Sequence, residues 1–404
     1  MWRLRMINNA KSKIVMITYM MRADHSGTDV IAALVDAAKR GVDIYILIDS
    51  VSSKIQCLQS REICYLASFK NVCFCLYNPF FFHNPFRLTF RMHDKILAID
   101  DDVYMIGGRN VLDVSIGNYV SKFNIDRDVV VVQEPGCKEP SIHSINHYIA
   151  LLQKDCAIEV FKKGIAEQYV EEVAKRMAVH HASMCEAHPM IMLDMHGTEK
   201  DVFYPSDSIS LIIGDPNYRF KGLEIWSQLV RLMKSGENVL VQTPYMMCNN
   251  LMYQGISEVI KAVQSFAIIT NAPEAGANFF GCADYMNQRK KIQRKGIRVY
   301  ECSAGQSLHT KSIMIDNDIS VIGSFNFDTR SAYMDTELML VIHSEELNKC
   351  LRKTAQALID KSRYADQDGN YQFGDRYVKK RMSLPLSAFY ALLRIMVRPF
   401  RFLL

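Results

Sequence analysis

The sequence has no run of about eighteen uncharged apolar residues, the length that a helix needs to cross a bilayer, so we expect no transmembrane helix. Its N-terminus, MWRLRMINNAKSK, is basic but has no apolar core of about seven residues or more, so we expect no secretory signal peptide. The 11 cysteines include no CxxC pair and no Cys/His cluster at metal-ligand spacing. This argues against a structural zinc site and favours thiols kept reduced in a cytosol.

A strong excess of one charge is also missing. The 48 Lys and Arg residues against 43 Asp and Glu residues give a formal net charge of +5. Nucleic-acid-binding domains are often more basic, and we find no basic stretch interleaved with aromatic residues of the kind that follows a single strand. We therefore do not expect nucleic acid to be the partner. The 404 residues, 49% hydrophobic and 23% charged, are instead typical of a globular protein of two or three domains.

The chain repeats itself. In the first copy, two short β-branched runs at 14–18 and 43–49 flank helix-spaced apolar residues at 30–39. In the second copy, runs at 238–243 and 297–301 flank a similar stretch at 251–263. Short apolar runs of this type are typical of buried parallel strands, and strand–helix alternation predicts an α/β sheet in each half.

A second part of the repeat carries the chemistry. His93, Lys95 and Asp100 are followed by a Gly107-Gly108 pair and by Asn110. The second copy has the same spacing over eighteen residues, with the corresponding residues His309, Lys311, Asp316, Gly323, Ser324 and Asn326. A match of this length at two places has a negligible probability of arising by chance.

The spacing predicts how these side chains lie. Histidine and lysine two residues apart on an extended chain point to the same face. Asp100 and Asp316 have the opposite parity and precede a second strand, so we predict a hairpin with the aspartate at its turn and give the aspartates a structural role. Tight bends at Gly107-Gly108 and Gly323-Ser324 would return Asn110 and Asn326 to the His/Lys face.

Two such sets are suited to cleave a phosphodiester without a metal or another cofactor. One histidine, neutral, would attack phosphorus and the other, protonated, would supply a proton to the leaving oxygen. Lysine and asparagine donors would stabilise the charge on the phosphate oxygens. A histidine nucleophile also needs an orienting carboxylate. Aligning the strand-like runs after the two motifs pairs Asp128 with Glu337 as candidates for this role, with Asp126 as an alternative to Asp128.

At these residues the sequence resembles the phospholipase D superfamily, whose signature is a duplicated HxKx4D motif, and in particular its bacterial cardiolipin synthase branch. The resemblance is carried by RMHDKILAID and GGRN at 91–110, ADHSG at 23–27, AAKRGV at 37–42, QTPYM at 242–246, and the segment 308–341. It implies two similar phospholipase D-like α/β halves packed about a pseudo-two-fold axis, with one active site at their junction. We assign residues 1–198 to the first half, 199–350 to the second and 351–404 to a helical tail, with 140–200 as a helical linker.

The resemblance also implies a function. It predicts a phosphatidyl transferase that makes cardiolipin from phosphatidylglycerol, with phosphatidylglycerol or phosphatidylethanolamine as donor, through a phosphohistidine. In this family the N-terminal histidine is more often the nucleophile, which favours His93. Arg330 and Ser331 match the end of the second motif and would stabilise the site. The alternatives are a phospholipase D hydrolase that releases phosphatidic acid and a nuclease of the same family. We expect a monomer whose internal pseudo-dimer completes the site.

Two apolar segments bear on the substrate. The stretch 383–404 combines leucines and aromatic residues with Arg394, Arg398 and Arg401, and from Lys379 onward all charges are basic. It suits the surface of an anionic membrane, which predicts a cytoplasmic protein peripheral to the inner face of the cell membrane, with an anionic phospholipid as substrate. A helix packed on the protein itself is the alternative. The run NPFFFHNPF at 78–86 predicts either an apolar lip beside the first motif or packing under a loop.

Overall fold

A computed structural model describes residues 1–79, 89–134, 136–137, 140–155, 157–195, 203–217, 222–366 and 370–401. The described chain divides into two compact units. The first contains Met1–Phe123, Asp128–Phe203 and residues 216–217, and the second contains Asn124–Arg127, Tyr204–Asp215 and the described residues after 221. The boundary predicted at 198–199 and most of the aromatic run at 78–86 lie outside the described residues.

The first unit is built on a seven-stranded mixed sheet with the order β7-β5-β4-β1-β2-β3-β8. Strands β1, β2 and β3 are parallel, with Lys13 opposite Asp43, and β4 pairs antiparallel to β1, with Ile14 opposite Ile99. The strands are β1 Lys13–Thr18, β2 Asp43–Asp49, β3 Val72–Tyr77, β4 Ile96–Ile99, β5 Val103–Gly107, β7 Asp128–Val132 and β8 Ile158–Val160.

Helices cover this sheet. Helix α2 begins where the side chain of Asp24 accepts a hydrogen bond from the N–H of Gly27, and its apolar residues are buried in the core of the unit. Helix α7 packs along α2, so the segment predicted as a helical linker is part of the first unit. The helices are α1 Trp2–Asn9, α2 His25–Lys39, α3 Ser50–Gln59, α4 Arg61–Leu66, α5 Asp113–Ile116, α6 Ile142–Asp155 and α7 Glu167–Ala187, followed by a 3-10 turn, Pro189–Met192.

The second unit has a nine-stranded sheet with the order β9-β18-β16-β15-β10-β12-β13-β19-β20. Its inner seven strands repeat the order of the first sheet, and β9 and β20 are added at the edges. The strands are β9 Ser208–Ile213, β10 Asn238–Gln242, β12 Ser265–Asn271, β13 Arg298–Cys302, β15 Ser312–Ile315, β16 Ile319–Gly323, β18 Leu338–His343, β19 Ser362–Ala365 and β20 Tyr371–Phe373.

Two short parallel pairs complete the second unit. Strand β6, Asn124–Ile125, pairs with β14, Ser307–Leu308, and β11, Met246–Met247, pairs with β17, Phe327–Asp328. The helices of this unit are α8 Glu224–Lys234, α9 Asn250–Ala262, α10 Phe279–Arg294, α11 Thr329–Tyr333, α12 Glu345–Ile359 and α13 Leu384–Met396. An apolar core formed by α8, α9 and the sheet lies within the unit.

The predicted parallel strands are confirmed, but their alignment between the copies needs correction. The runs at 14–18, 43–49 and 238–243 form β1, β2 and β10. The run at 297–301 coincides closely with β13, whose counterpart in the first sheet is β3 rather than β2. The true counterpart of β2 is β12, with the sequence SFAIITN. In the chain, β12 precedes α10, whereas β13 follows it. A basic turn ending in glycine precedes both β2 and β13, and this shared turn shifted the alignment by one strand.

The segment 351–404, predicted as a helical tail, contains strands as well as helices. After α12, strands β19 and β20 extend the second sheet beyond β13. Helix α13 follows and packs along α10. Within the described ranges, the helices are each too short or too polar to cross a bilayer.

Candidate active site

The second unit holds a histidine against a buried carboxylate. Strands β6 and β14 run parallel, with Leu308 opposite Ile125, so the residues that follow them, His309 and Asp126, come together. The N–H of His309 donates to the carbonyl of Ile125 at 2.8 Å, and Nδ1 of His309 lies 2.5 Å from Oδ2 of Asp126. The Asp126 side chain is 0% exposed and that of His309 is 23% exposed, so the imidazole is accessible while its partner is not.

Asp126 is held in its ionised form. Burial by itself would raise the pKa of this carboxyl, but the adjacent His309 and Lys311 outweigh it, and the pKa is lowered below its ordinary value. The N–H of Arg127 also donates to Oδ1 of Asp126 at 2.8 Å. A buried carboxylate on Nδ1 fixes the orientation of the ring, presents Nε2 as the reactive nitrogen and stabilises the imidazolium.

Lys311 lies beside this histidine–aspartate pair. Its ammonium lies 2.9 Å from Nδ1 of His309 and also donates to the backbone carbonyl of His309. The residue is almost fully buried although it carries a charge. Burying a lysine is costly unless it has charged or polar partners. Its position beside His309 and near Asp126 supplies such partners.

Asn326 is presented by a sharp bend. A side chain at Gly323 would collide with the backbone, because a Cβ there would lie 2.1 Å from the carbonyl oxygen of Leu338. After the bend, the N–H of Asn326 donates to the hydroxyl of Ser331 at 3.2 Å. Its side-chain amide donates to the hydroxyl of Tyr245 at 3.1 Å. The bend and these two contacts fix Asn326 within the second unit.

Glu337 supports this bend. Its Oε1 accepts a hydrogen bond from the hydroxyl of Ser331 at 2.6 Å, and Ser331 in turn holds the backbone of Asn326. The carboxylate that the structure places on Nδ1 of His309 is Asp126, which the sequence analysis considered only as an alternative to Asp128. Ser324 contributes in the same bend: its hydroxyl accepts a hydrogen bond from the N–H of Leu338 at 3.1 Å.

A buried acid lies next to the bend. Burial raises the pKa of Asp328 to about 7, against the lowering effect of the Ser331 N–H, and the nearby Asp335 and Glu337 raise it further. The Ser331 N–H donates to Asp328 at 2.6 Å, and this bond caps α11. Tyr245 is half-buried in the same cluster, and desolvation together with the nearby Asp328 raises its pKa well above the ordinary value. The phenol is therefore a neutral partner for Asn326.

The first unit presents His93 in a different setting. The rings of Tyr19 and His93 meet edge to face, with centroids 5.3 Å apart. The ammonium of Lys95 lies 5.7 Å from the centroid of the Tyr19 ring and donates to the backbone carbonyl of His93. Lys95 is buried like its counterpart Lys311. The histidine and lysine of each copy therefore lie together, as the spacing predicted.

The bend that carries Asn110 is supported by charged side chains. Asp128 accepts a hydrogen bond from the N–H of Arg109 at 3.2 Å and also pairs with its guanidinium. Arg3, from α1, donates to the carbonyls of Arg109 and Asn110 at 3.3 and 3.4 Å. It lies 3.6 Å from Asp128. This first-copy bend, Gly107-Gly108, lacks the hydroxyl that Ser324 supplies in the second copy, and Asp128 with the two arginines supports it.

Asp100 and Asp316 occupy the hairpin turns after β4 and β15. Both have positive φ, 51° and 46°. Asp100 accepts from the backbone N–H groups of Lys11, Ser12 and Lys13 at 2.7–2.8 Å. Burial would raise the pKa of Asp100, but these donors lower it overall. Asp316 accepts from the N–H groups of Glu237 and Asn238 in the same way. Each aspartate fixes its hairpin to the start of the strand that pairs with it, β1 in the first unit and β10 in the second.

Asp49 and Asn271 are two positioning residues that the sequence pattern did not reveal. They are the last residues of the equivalent strands β2 and β12, and each binds the residue before a motif histidine. Oδ1 of Asn271 accepts from the N–H of Leu308 at 2.7 Å, and Oδ2 of Asp49 accepts from the N–H of Met92 at 3.2 Å. Correct alignment of β12 with β2 would have revealed this repeated position.

Comparison with known proteins assigns the family. The family model described as "Cardiolipin synthase, PLD-like domain" matches residues 4–135 and 229–359, one match in each copy of the repeat. The chain belongs to this family. It is 26% identical to cardiolipin synthase C of Escherichia coli over 447 residues, which covers 98% of this chain and 91% of that protein. It is 22% identical to cardiolipin synthase A of Buchnera aphidicola, over 90% of this chain and 68% of that protein.

The fold has a solved counterpart. The crystal structure of phosphatidylserine synthase from Haemophilus influenzae matches with a TM-score of 0.65 and 13% identity, covering 100% of this chain and 92% of that one. The resemblance to phospholipase D-like halves inferred from the sequence is confirmed, and the chain is a phospholipid-modifying enzyme of the phospholipase D superfamily. Among the described residues, no three His, Cys, Asp or Glu side chains are grouped so that they could hold a metal ion.

Proposed function

We propose that this protein is a phosphatidyl transferase that makes cardiolipin from phosphatidylglycerol through a covalent phosphohistidine, with phosphatidylglycerol or phosphatidylethanolamine as donor. The observation that carries the proposal is the contact of His309 with the buried, ionised Asp126 beside Lys311. An oriented imidazole with an adjacent ammonium is suited to phosphoryl chemistry that proceeds by proton transfer and charge stabilisation. The cardiolipin synthases among its relatives support a phospholipid as substrate.

The first step releases the headgroup. Nε2 of one histidine attacks the phosphorus of the donor, the N–P bond forms, and the P–O bond to the headgroup alcohol breaks. The other histidine, protonated, gives its proton to the departing oxygen, so that glycerol or ethanolamine leaves with an uncharged hydroxyl group. A buried carboxylate favours an imidazolium, which suits His309 to the acid role and leaves His93 as the nucleophile.

The second step forms cardiolipin. The free primary hydroxyl of a phosphatidylglycerol headgroup attacks the same phosphorus, and its proton passes to the histidine that is now neutral. The N–P bond breaks, and both histidines return to their starting protonation states. Water in place of this hydroxyl would give phosphatidic acid, so a transferase must seat the alcohol in preference to water.

The lysines and asparagines of the two motifs have matching roles in this proposal. Lys95, Lys311, Asn110 and Asn326 donate to the non-bridging phosphate oxygens, where negative charge increases in the transition state. Four further residues act indirectly, because their contacts fix the bends that carry the asparagines: Ser331, Glu337, Asp128 and Arg3. We propose that the protein works as a monomer at the inner face of the cell membrane.

Lipid products test the proposal directly. The purified protein is incubated with phosphatidylglycerol vesicles, with and without phosphatidylethanolamine, and the lipids are measured by mass spectrometry. We expect cardiolipin with release of the headgroup, and the donor dependence identifies the donor. Phosphatidic acid alone would identify a hydrolase instead, and no lipid change would contradict a lipid substrate.

Substitutions connect the product to the two motifs. His93→Ala and His309→Ala should each abolish turnover, because each removes one partner of the acid and nucleophile pair. His147→Ala is a matched control, since this histidine is exposed on α6 and lies outside both motifs. EDTA should leave turnover unchanged. Full activity in either motif variant would contradict the two-histidine mechanism.

A further inference from the structure

Helix α13 is fixed to the second unit by one of its sides. Tyr390, Leu393 and Val397 are buried in an apolar cluster with Cys282 and Ala283 of α10. The hydroxyl of Tyr390 donates to the carbonyl of Pro273 at 3.0 Å, and the guanidinium of Arg394 donates to Asn287 at 3.0 Å. Beyond the helix, Arg401 donates to the carboxylate of Asp284 at 3.0 Å. On this side, α13 is therefore a helix packed on the protein itself, which was the alternative to membrane contact.

The opposite side is apolar and exposed. Leu384 is 87% exposed, Leu392 60% and Ile395 65%. Phe389 packs its ring against Phe279, at the start of α10, with centroids 5.5 Å apart. We call the whole exposed set the outer face; it consists of Phe279, Phe280, Leu384, Phe389, Leu392, Ile395, Met396 and Phe400. Exposed large apolar side chains clustered on one side of a helix mark an interaction site.

Charge indicates what covers the outer face. After Asp375 the sequence contains no acidic residue. Lys379, Lys380 and Arg381 precede α13 and are exposed, and Arg398 is exposed just after it. Apolar side chains on a segment that is flanked in sequence by basic residues complement an anionic bilayer, in which acyl chains lie below a negatively charged surface. A helix of 13 residues is about 20 Å long, too short to cross the hydrocarbon core and long enough to lie along its surface.

The outer face is also connected to the site in the second unit. Gly281 of α10 packs on Tyr245, since a Cβ at Gly281 would lie 3.1 Å from the Tyr245 side chain. The hydroxyl of that tyrosine accepts the amide of Asn326. In the loop before α10, the N–H of Ala277 donates to the hydroxyl of Ser307, two residues before His309. A bilayer in contact with Phe279 and Phe280 would thus lie near the groups that handle the phosphate.

We propose that the outer face binds the surface of an anionic phospholipid bilayer, with the apolar side chains among the upper acyl chains and Lys379, Lys380, Arg381 and Arg398 at the lipid phosphates. The bilayer surface would present the substrate of the proposed function, and the proposal rests on that function only for the identity of the lipid. Membrane binding can be measured with or without turnover, so its failure and the failure of the proposed function are distinguishable.

The test uses the full chain and vesicles of stated composition. Binding is measured by co-sedimentation with vesicles of phosphatidylcholine containing about one-third phosphatidylglycerol, and with vesicles of phosphatidylcholine alone. The double variant Leu392→Ser/Met396→Ser removes two outer-face side chains one helical turn apart. The matched control is Val51→Ser/Ile55→Ser, an exposed apolar pair at the same spacing on α3. Circular dichroism checks that both variants fold.

We expect the outer-face variant to lose at least tenfold in affinity for the anionic vesicles, while the α3 control binds like the unaltered protein. We also expect weaker binding as salt rises and little binding to phosphatidylcholine alone. Activity on a monomeric short-chain phosphatidylglycerol should be equal in the variant and the unaltered protein, because the face acts on docking alone. Loss of this activity would overturn the separation of docking from chemistry.

Three results would overturn the proposal. One is unchanged binding of the outer-face variant to anionic vesicles. Another is equal binding of the unaltered protein to both vesicle types. The last is a self-associating protein that becomes monomeric in the outer-face variant while vesicle binding is unchanged, which would identify the face as an interface between two copies.

Discussion

The substitution Asp126→Asn removes a negative charge from the candidate site while its shape is nearly preserved. Nδ1 of His309 lies 2.5 Å from the Asp126 carboxylate, which is fully buried. An asparagine oxygen can still accept a hydrogen bond at this position, so the ring orientation is kept. The stabilisation of the imidazolium is lost, and we expect this to lower the rate.

The size of the effect follows from the type of bond. A hydrogen bond to a charged group contributes about 1.5–3 kcal/mol. At about 1.36 kcal/mol for each factor of ten, its loss lowers the turnover rate roughly 10- to 100-fold. If His309 acts as the acid, it must also carry a proton, so the alkaline limb of the pH–rate profile should move to lower pH by about one to two units.

The assay is cardiolipin formation from phosphatidylglycerol vesicles between pH 5 and 9. Asp128→Asn is the matched comparison, because the structure places Asp128 on Arg109 and Arg3 rather than on Nδ1 of His309. We expect Asp128→Asn to affect the rate less and to leave the alkaline limb unmoved. A normal rate and an unshifted profile in Asp126→Asn, or the larger shift in Asp128→Asn, would refute the assignment of the carboxylate.

Three further predictions concern groups around the site. The pKa of Asp328 is about 7, whereas its ordinary value is 3.8, so the unfolded chain loses this proton at a lower pH than the folded chain does. The free energy of unfolding therefore falls as the pH rises from 3.8 to about 7. Asp328→Asn should recover at most about 4 kcal/mol above pH 7 in urea unfolding, and an unchanged pH dependence would contradict this. Asn271→Asp would set a carboxylate against the carbonyls of Pro244 and Leu308, so we expect turnover to fall at least tenfold in the lipid assay; normal turnover would refute this positioning role. Tyr245→Phe removes the partner of Asn326 and should lower kcat/KM about 3- to 10-fold without unfolding the protein, and an unchanged value would show that the contact is dispensable.

The repeat made much of the fold predictable. Two motifs at one spacing predicted two similar α/β halves, and the inner seven strands of the second sheet follow the order of the first. The hairpins at Asp100 and Asp316 follow from the parity of these residues and from the turn-forming residues after them. These features depend on short-range patterns, which the sequence carries directly.

The partner of His309 depends on a different kind of information. It comes from the pairing of β6 with β14, and each of these strands has only two residues. A strand of two residues shows no hydrophobic periodicity from which it could be predicted, and β6 and β14 are far apart in the sequence. An alignment of the longer strands β7 and β18 therefore selected Asp128 ahead of Asp126, although Asp126 is the residue that contacts the ring of His309.

The sequence also did not predict which side of α13 faces the protein. Leu392 and Leu393 are neighbours of the same residue type, yet Leu393 is buried on α10 and Leu392 is exposed. A helix that is apolar on most of its circumference gives no hydrophobic stripe to orient it. Its orientation is set by specific contacts, such as that of Tyr390 with Pro273.

The most direct test of the account is a search for the covalent intermediate. The protein is mixed with phosphatidylglycerol vesicles, quenched at alkaline pH, where a phosphohistidine survives, digested and analysed by mass spectrometry. We predict a phosphatidyl group on His93 of the unaltered protein and none in His93→Ala. Cardiolipin formation by His93→Ala at the normal rate, with no adduct on either histidine, would contradict it.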